Sequence, residues 1–254
     1  YINKKVISWV FRPPEKSSSG IMDSYSKRNS FSHKAFFCLT SKAEKYYSQY
    51  AKSKFIPWCV DLDLFDGKQH THNQGSPFFL ATGKTGRDYA TLVNAAYLVH
   101  AEIRIIGPRN QKPDKLPANV NWIETSEDPP DKAIAYPTLR DWYSQSIGVC
   151  IPLSGDADDT CGYTNMLEAM AMCKPVLMTK SGCLHINPET DGFGTEIKPR
   201  DAQGWAQAII HLLQDGEKAK KMGHRGRVIV ERDFTIERFN RDVLGFIETI
   251  LNKS

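Results

Sequence analysis

The chain has 254 residues, 41% hydrophobic and 24% charged, which is ordinary globular composition and excludes fibrous and disordered classes. A formal net charge of +4 is too small to argue for nucleic acid; it suits an anionic small ligand or weak contact with an acidic membrane surface. No apolar run approaches the roughly 18 residues of a membrane-spanning helix.

Six cysteines (Cys38, Cys59, Cys150, Cys161, Cys173 and Cys183) are scattered without a C-x-x-C pair. Several sit in apolar or helical contexts and read as free thiols of a reducing compartment. The first residue is Tyr, no secretory pattern follows, and "KKVISWVFRPP" reads like the interior of a sequence. The chain is therefore expected to be a piece of a longer protein.

Residues 1–74 hold two short apolar runs, "VISWVF" and "AFFCLT", parted by a Ser-rich polar stretch at 17–32. "SKAEKYYSQYA" follows as a predicted helix, with Ser41 as N-cap and Glu44 three positions on, the capping-box spacing. After "FIPWCVDLDLF" comes "DGKQHTHNQGSP", a polar linker that marks a domain boundary.

From residue 75 strand and helix alternate. "FFLATG" reads as a buried strand, "RDYATLVNAAYLV" as a helix, "EIRIIG" as a strand and "VNWIE" as a short one. "YPTLRDWYSQ" is a helix after a turn, "IGVCIPL" a strand, "TNMLEAMAM" a helix, "PVLMTK" a strand and "AQGWAQAIIHLLQ" a long amphipathic helix. This alternation predicts an α/β fold: a parallel sheet of about five or six strands covered on both faces. Such sheets bind ligands in the crevice beyond the carboxyl ends of their strands. Residues 216–254 read as helical, with apolar residues at i, i+3, i+4 and i+7 in "EKAKKMGHRGRVIVERDF" and "TIERFNRDVLGFIETIL".

Two strand-to-helix turns carry residues suited to chemistry. In "ATGKTGRDY", Gly83 and Gly86 bracket Lys84, and Arg87 is expected to open the helix. Glycine lets the backbone approach a ligand, a helix start supplies N–H donors, and Lys or Arg neutralises phosphate. Neither G-x-x-x-x-G-K nor G-x-G-x-x-G is present, so the P-loop and nicotinamide fingerprints are missing; Gly-Lys-Thr-Gly is also an ordinary turn.

The second turn is "CGYTNMLEAMAMCKPV", where Gly162 precedes a helix predicted to open on Thr164 and Asn165. Its one carboxylate, Glu168, has two readings. It either complements the helix macrodipole, worth about 0.3–1 kcal/mol, or accepts hydrogen bonds from hydroxyls beside an anion held at the helix start. Two cationic side chains, two helix N-termini and one carboxylate at one sheet edge fit a nucleotide diphosphate with its ribose.

Taken in order, "SKAEKYYSQYAKSKFIPWCVDLDLF", "FFLATGKTGRDYATLVNAA", "IRIIG", "YPTLRDWYSQSIGVCIPL", "GYTNMLEAMAMCKPVLMT", "DGFGTEIKPRDAQGWAQAIIHLLQD" and "MGHRGRVIVERDFTIERF" resemble the C-terminal half of nucleotide-sugar glycosyltransferases of family four. That family has the GT-B fold of two facing Rossmann-like domains. The resemblance runs from about residue 35 to 250, and "TNMLEAMAMCKPV" is its most specific segment.

It implies that Glu168 binds the donor ribose and that Arg87 and Lys84 bind the diphosphate. Gly162, Tyr163 and Thr164 would form the turn whose amides meet phosphate or sugar, Gly83 the close approach to the donor, and Leu167 core packing only. It implies residues 1–74 as the end of an acceptor-side domain, 75–234 as the donor-binding domain, and 235–254 as a helix crossing back. The activity implied is hexosyl transfer from a nucleotide diphosphate sugar to an acceptor carbohydrate or lipid, retaining, with no metal and no cofactor beyond the donor. The location implied is cytoplasmic, at most peripheral to the inner face of a membrane.

One departure matters. Many members carry a second glutamate eight residues before the first, facing the transferred sugar; here that position is Thr160, after Asp158 and Asp159. Either aspartate could substitute, or both are solvated loop carboxylates. His33, His70 and His72 lie in polar segments and read as surface; His185, nearer the crevice, reads as structural. Two rival functions share these residues: a non-catalytic nucleotide-binding module, and a GT-B sugar-nucleotide epimerase.

Overall fold

The computed structural model describes residues 6–11, 33–67, 76–125, 134–155, 160–181 and 184–252. His70, His72, Asp158, Asp159, Cys183 and the Ser-rich stretch lie outside them.

The described residues fold as two parallel sheets. The first is three-stranded, β1 (Val6–Val10), β2 (His33–Cys38) and β3 (Lys52–Phe55), in the order β1-β2-β3. Strand alternation sends successive side chains to opposite faces. Phe36 and Cys38 pack with Ala43 of α1 (Ser41–Tyr47) on one face. Ala35 and Phe37 pack with Phe246 and Ile250 of the last helix, α7 (Ile236–Leu251), on the other.

Thr40, not Ser41, caps α1: its Oγ1 accepts from the Ala43 N–H at 3.0 Å. Glu44 makes no capping box. It accepts from the Phe55 N–H at 2.9 Å, a strand-end donor that local spacing could not reveal. His33, expected at the surface, opens β2 half-buried, with its ring stacked on Phe36.

The second sheet has six parallel strands: β4 (Phe78–Thr82), β5 (Glu102–Pro108), β6 (Val120–Thr125), β7 (Gly148–Ile151), β8 (Val176–Thr179) and β9 (Gly194–Ile197). Their order is β6-β5-β4-β7-β8-β9. From β4 the chain winds outward to β6, returns to pair β7 with β4, and winds the other way to β9. That is the doubly wound Rossmann-like order, with its reversal between β4 and β7. β9 lies in a stretch where the sequence predicted no strand.

Both faces are covered. Phe79, Ala81, Ile103, Ile105 and Leu177 meet Leu92 of α2 (Tyr89–Ala96) and Trp205, Ile209 and Leu212 of α5 (Ala202–Gln214). Phe78, Leu80, Val149, Ile151 and Val176 meet Tyr143 of α3 (Tyr136–Gln145), Met166, Leu167 and Met170 of α4 (Tyr163–Ala171), and Ile229 and Val230 of α6 (Gly216–Asp233). Leu167 is core, as expected.

The two sheets are joined by residues 56–67 and by the turn into α7. These segments touch: Val60 and Thr235 form a parallel bridge, and the Val60 N–H bonds the Phe234 carbonyl at 2.9 Å. Arg238 of α7 donates to the Pro57 and Trp58 carbonyls at 2.9 and 2.8 Å. Among the described residues no disulfide forms: Cys38 and Cys150 are buried thiols, and Cys59, Cys161 and Cys173 are partly buried ones.

Candidate donor-binding site

The reversal of the sheet brings the turns after β4 and β7 side by side. Arg87 forms an antiparallel bridge with Leu153, the Asp88 N–H bonds the Pro152 carbonyl and the Ser154 N–H bonds the Gly86 carbonyl, both at 3.0 Å. A cleft of about 530 Å³ opens there. One wall is Gly83, Lys84, Thr85 and Arg87, the second is Thr160 to Asn165, and facing them are Phe11 and Leu39 from the strand ends of the first sheet and Trp58 from the segment that joins the sheets. Six of the seven residues singled out from sequence and resemblance (Gly83, Lys84, Arg87, Gly162, Tyr163, Thr164) thus line one cavity.

Gly83 has φ of +132° and Gly162 φ of +82°, which side chains rarely adopt. A Cβ on Gly83 would collide with the Arg87 guanidinium, and one on Gly162 would lie 2.6 Å from Ile151 Cγ2. Gly162 is the N-cap of α4, and no side chain caps that helix. The helix begins at Tyr163, one residue before the predicted opening. The other helix start differs. Arg87 does not open α2: Asp88 is its N-cap and accepts from the Thr91 N–H at 3.1 Å. So α2 carries its own anion, and α4 is the helix whose start is left to a ligand.

Arg87 is held in place. Its Nε donates to the Thr82 carbonyl at 3.2 Å, Nη1 to the Thr85 carbonyl at 2.8 Å, and Nη2 to Asn165 Oδ1. Lys84 is exposed at the cleft rim, and its carbonyl accepts from Gln111 Nε2. Tyr163 contributes backbone to the cleft, while its ring turns inward against Phe234 and His185. His185 is exposed, with its ring edge against Phe55 at 4.9 Å. Desolvation first, and then Arg238, hold it below the usual imidazole range; it packs against aromatic rings, as a structural residue does.

Glu168 does not line the cleft. It is 5% exposed, and its Oε2 accepts from the Tyr143 hydroxyl at 2.8 Å. Asn165 Nδ2 stands 3.3 Å from that hydroxyl and 3.5 Å from Oε2. Burial pushes the carboxyl up to about 7, against the pull of these two donors. The macrodipole reading fails on position: no acidic residue lies in the first turn of α4, and the dipole's influence fades beyond it. Tyr143 and Asn165 were not assigned roles from sequence. Asn165 could have been: it is three residues before Glu168, and side chains at that spacing are neighbours on a helix.

Among the described residues no group of three or more His, Cys, Asp or Glu side chains could hold a metal ion. No helix among them is long and apolar enough to cross a membrane.

The sequence model of the family "Glycosyl transferases group 1" matches residues 78–215, more than half of the chain. The chain belongs to that family. Residues 78–215 of this group 1 glycosyltransferase domain hold both cleft-forming turns, and the fold agrees with solved structures of GT-B glycosyltransferases.

Sucrose-phosphate synthase from Thermosynechococcus elongatus superposes with a TM-score of 0.70 at 19% identity, over 94% of this chain and 65% of that one. Anabaena HepE, solved with UDP and glucose, gives 0.73 at 13% identity, over 97% and 72%. A glycosyltransferase from Rickettsia africae ESF-5 gives 0.71 at 17% identity, over 98% and 71%. The chain thus spans about two thirds of the length of these proteins. Comparison with curated proteins gives no match.

Proposed function

We propose that the chain is the donor half of a nucleotide-sugar glycosyltransferase, moving a hexose from a nucleotide diphosphate sugar to a carbohydrate or lipid acceptor. The observation that carries this is the cleft at the sheet reversal, where a fixed guanidinium, Arg87, faces the uncapped start of α4. Cation and amide donors there suit a diphosphate. Held in advance of reaction, they would stabilise the charge that develops as the diphosphate leaves, usually the largest single catalytic contribution. Lys84 at the rim adds a second charge, and Glu168 takes the ribose. HepE, of the same fold, was solved with UDP and glucose, which supports a uridine nucleotide as the first to try.

In this proposal transfer is retaining and needs no metal, and residues 75–234 form the donor-binding domain. Residues 1–74 and the crossing helix 235–254 belong to the acceptor-side domain. Free cysteines fit a reducing compartment, so we place the reaction in the cytoplasm. Calorimetry across the common nucleoside diphosphates tests the binding step: heat is expected with at least one, abolished by Arg87→Ala. No heat with any of them would overturn the proposal. Release of sugar or nucleotide from a bound nucleotide sugar separates an enzyme from a binding module, and interconversion of the sugar without an acceptor would mark an epimerase.

A further inference from the structure

We propose that Tyr143 and Asn165 are positioning residues of the donor site: they join the Glu168 carboxylate and the Arg87 guanidinium into one hydrogen-bonded chain, so that ribose and diphosphate recognition are coupled and follow the proton state of Glu168. This deepens the donor assignment above and rests on it.

Each link has a fixed direction. A guanidinium can only donate, so the Asn165 oxygen must face Arg87 and its NH₂ must face inward. The structure has that arrangement, with Oδ1 on Arg87 Nη2 and Nδ2 toward the Tyr143 hydroxyl and Glu168. Tyr143 is fully buried on α3, and burial together with Glu168 pushes its phenol well above the usual range. It therefore stays neutral and donates to Glu168 Oε2. A buried hydroxyl needs such a partner. Turning the Asn165 amide over would set its NH₂ against the guanidinium and its oxygen against Glu168, so the chain has one stable sense.

The geometry also explains how a carboxylate outside the cleft can matter inside it. Asn165 lines the cleft and Glu168 lies behind it. The groups facing Glu168 among the described residues are Tyr143 from α3 and Asn165 from its own helix. Arg87, from the turn after β4, stands beyond Asn165. Among the described residues no cation is bonded to the carboxylate, and these two donors oppose the burial that lifts it to about 7. For a ribose hydroxyl that takes the place of Asn165 Nδ2 beside Oε2, the ionised form is a stronger acceptor than the acid. Nucleotide affinity should be full above that midpoint and fall toward tenfold per pH unit below it.

Tyr143→Phe keeps the ring and removes the donor, leaving the carboxyl harder to ionise. Two measurements on the whole chain test it. The first follows the Glu168 carboxyl carbon by NMR through a pH titration, identified by its loss in Glu168→Gln. A midpoint near 7 that rises by about one unit in Tyr143→Phe is expected; a midpoint in the ordinary carboxylate range, or one unmoved by Tyr143→Phe, overturns the proposal whatever the ligand does.

The second is UDP affinity against pH. In Tyr143→Phe it should drop about fivefold near pH 7 and return to within about twofold of wild type near pH 9, a rescue that plain structural damage would not give. Affinity that is flat with pH in wild type, while UDP still binds, overturns the coupling and leaves the donor assignment standing. A chain that binds no nucleoside diphosphate at any pH overturns both.

Discussion

Arg227, from the middle of α6, donates from Nη1 to the carbonyl of Ala171, the last residue of α4, at 2.7 Å. The same nitrogen donates to the Phe65 carbonyl at 3.0 Å, and the guanidinium faces Asp66 and Glu231. A cation thus sits at the carbonyl end of α4, whose amide end is the uncapped start in the cleft, and it also fastens the segment between the sheets. Arg227 is 7% exposed. Arg227→Met should therefore remove the side-chain donor from the Phe65 carbonyl, leave the Ala171 carbonyl with only the Gly67 N–H, and break the contacts with Asp66 and Glu231, at a cost of about 3 kcal/mol. For a chain of this size that is a fall in melting temperature of roughly 6–12 °C. A variant that melts within about 2 °C of wild type would show that the carbonyls find other partners.

Glu168 gives a prediction of opposite sign. Its carboxyl is raised from 4.5 to about 7 in the fold, so between those values the native state holds more protons than the unfolded chain. Stability is then lost as pH rises through that window, by about 1.4 kcal/mol per pH unit at most. Glu168→Gln removes the charge and should leave the unliganded protein more stable than wild type at pH 8, by about 1–3 kcal/mol, with the difference gone near pH 4.5. Urea denaturation at the two pH values measures it. The same variant should bind nucleotide about tenfold more weakly, since a hydrogen bond to a charged group is worth roughly 1.5–3 kcal/mol. A gain in stability with a loss in affinity is the pattern of a residue kept for its ligand.

Arg87 and Glu168 are assigned to different parts of the donor, and this is separable. Arg87→Ala should weaken a nucleoside diphosphate at least tenfold and the bare nucleoside little, because only the former carries phosphate charge. Glu168→Gln should weaken both alike. Calorimetry with the two ligands on the two variants gives four values; equal losses of nucleoside and diphosphate in Arg87→Ala would remove that residue from the phosphate site.

Phe246 of α7 is 3% exposed and meets Phe37 of β2 edge-on at 5.2 Å. Phe246→Ala should cost about 3–5 kcal/mol, felt first by the three-stranded sheet. Hydrogen exchange should speed up in β1, β2 and β3 and stay slow in β4, β7 and β8. Uniform acceleration would mean that the two sheets unfold as one unit.

Much of the second sheet was legible in the sequence because its central strands are buried on both faces. "FFLAT" and "GVCI" can be read without knowing what covers them. β9 was not legible: at the sheet's edge, "GTEI" has a glycine and a glutamate and only two buried residues. The cleft was legible as two turns with glycines at left-handed positions and basic residues beside them. What joins the turns was not. Tyr143 lies 25 residues before Glu168, and Asp88 beside Arg87 reads equally as ligand or cap until the Thr91 N–H is seen on it. Helix ends are settled by such single hydrogen bonds, as at Thr40 and Asp88, and the local pattern alone does not say which residue makes them.

The paired crossing of the chain has a mechanical consequence. One strand of backbone between two bodies permits swivel, tilt and twist. Here two crossings run side by side, bridged at Val60 and Thr235, with Arg238 tying α7 to the carbonyls of Pro57 and Trp58. A pair of tethers fixed to one another resists torsion and leaves bending about the line they share. The easiest movement of the molecule is therefore a jaw-like opening about residues 57–60 and 234–238. It would carry Leu39 and Phe11 toward or away from Lys84 and Thr164, while Trp58, close to the axis, travels least.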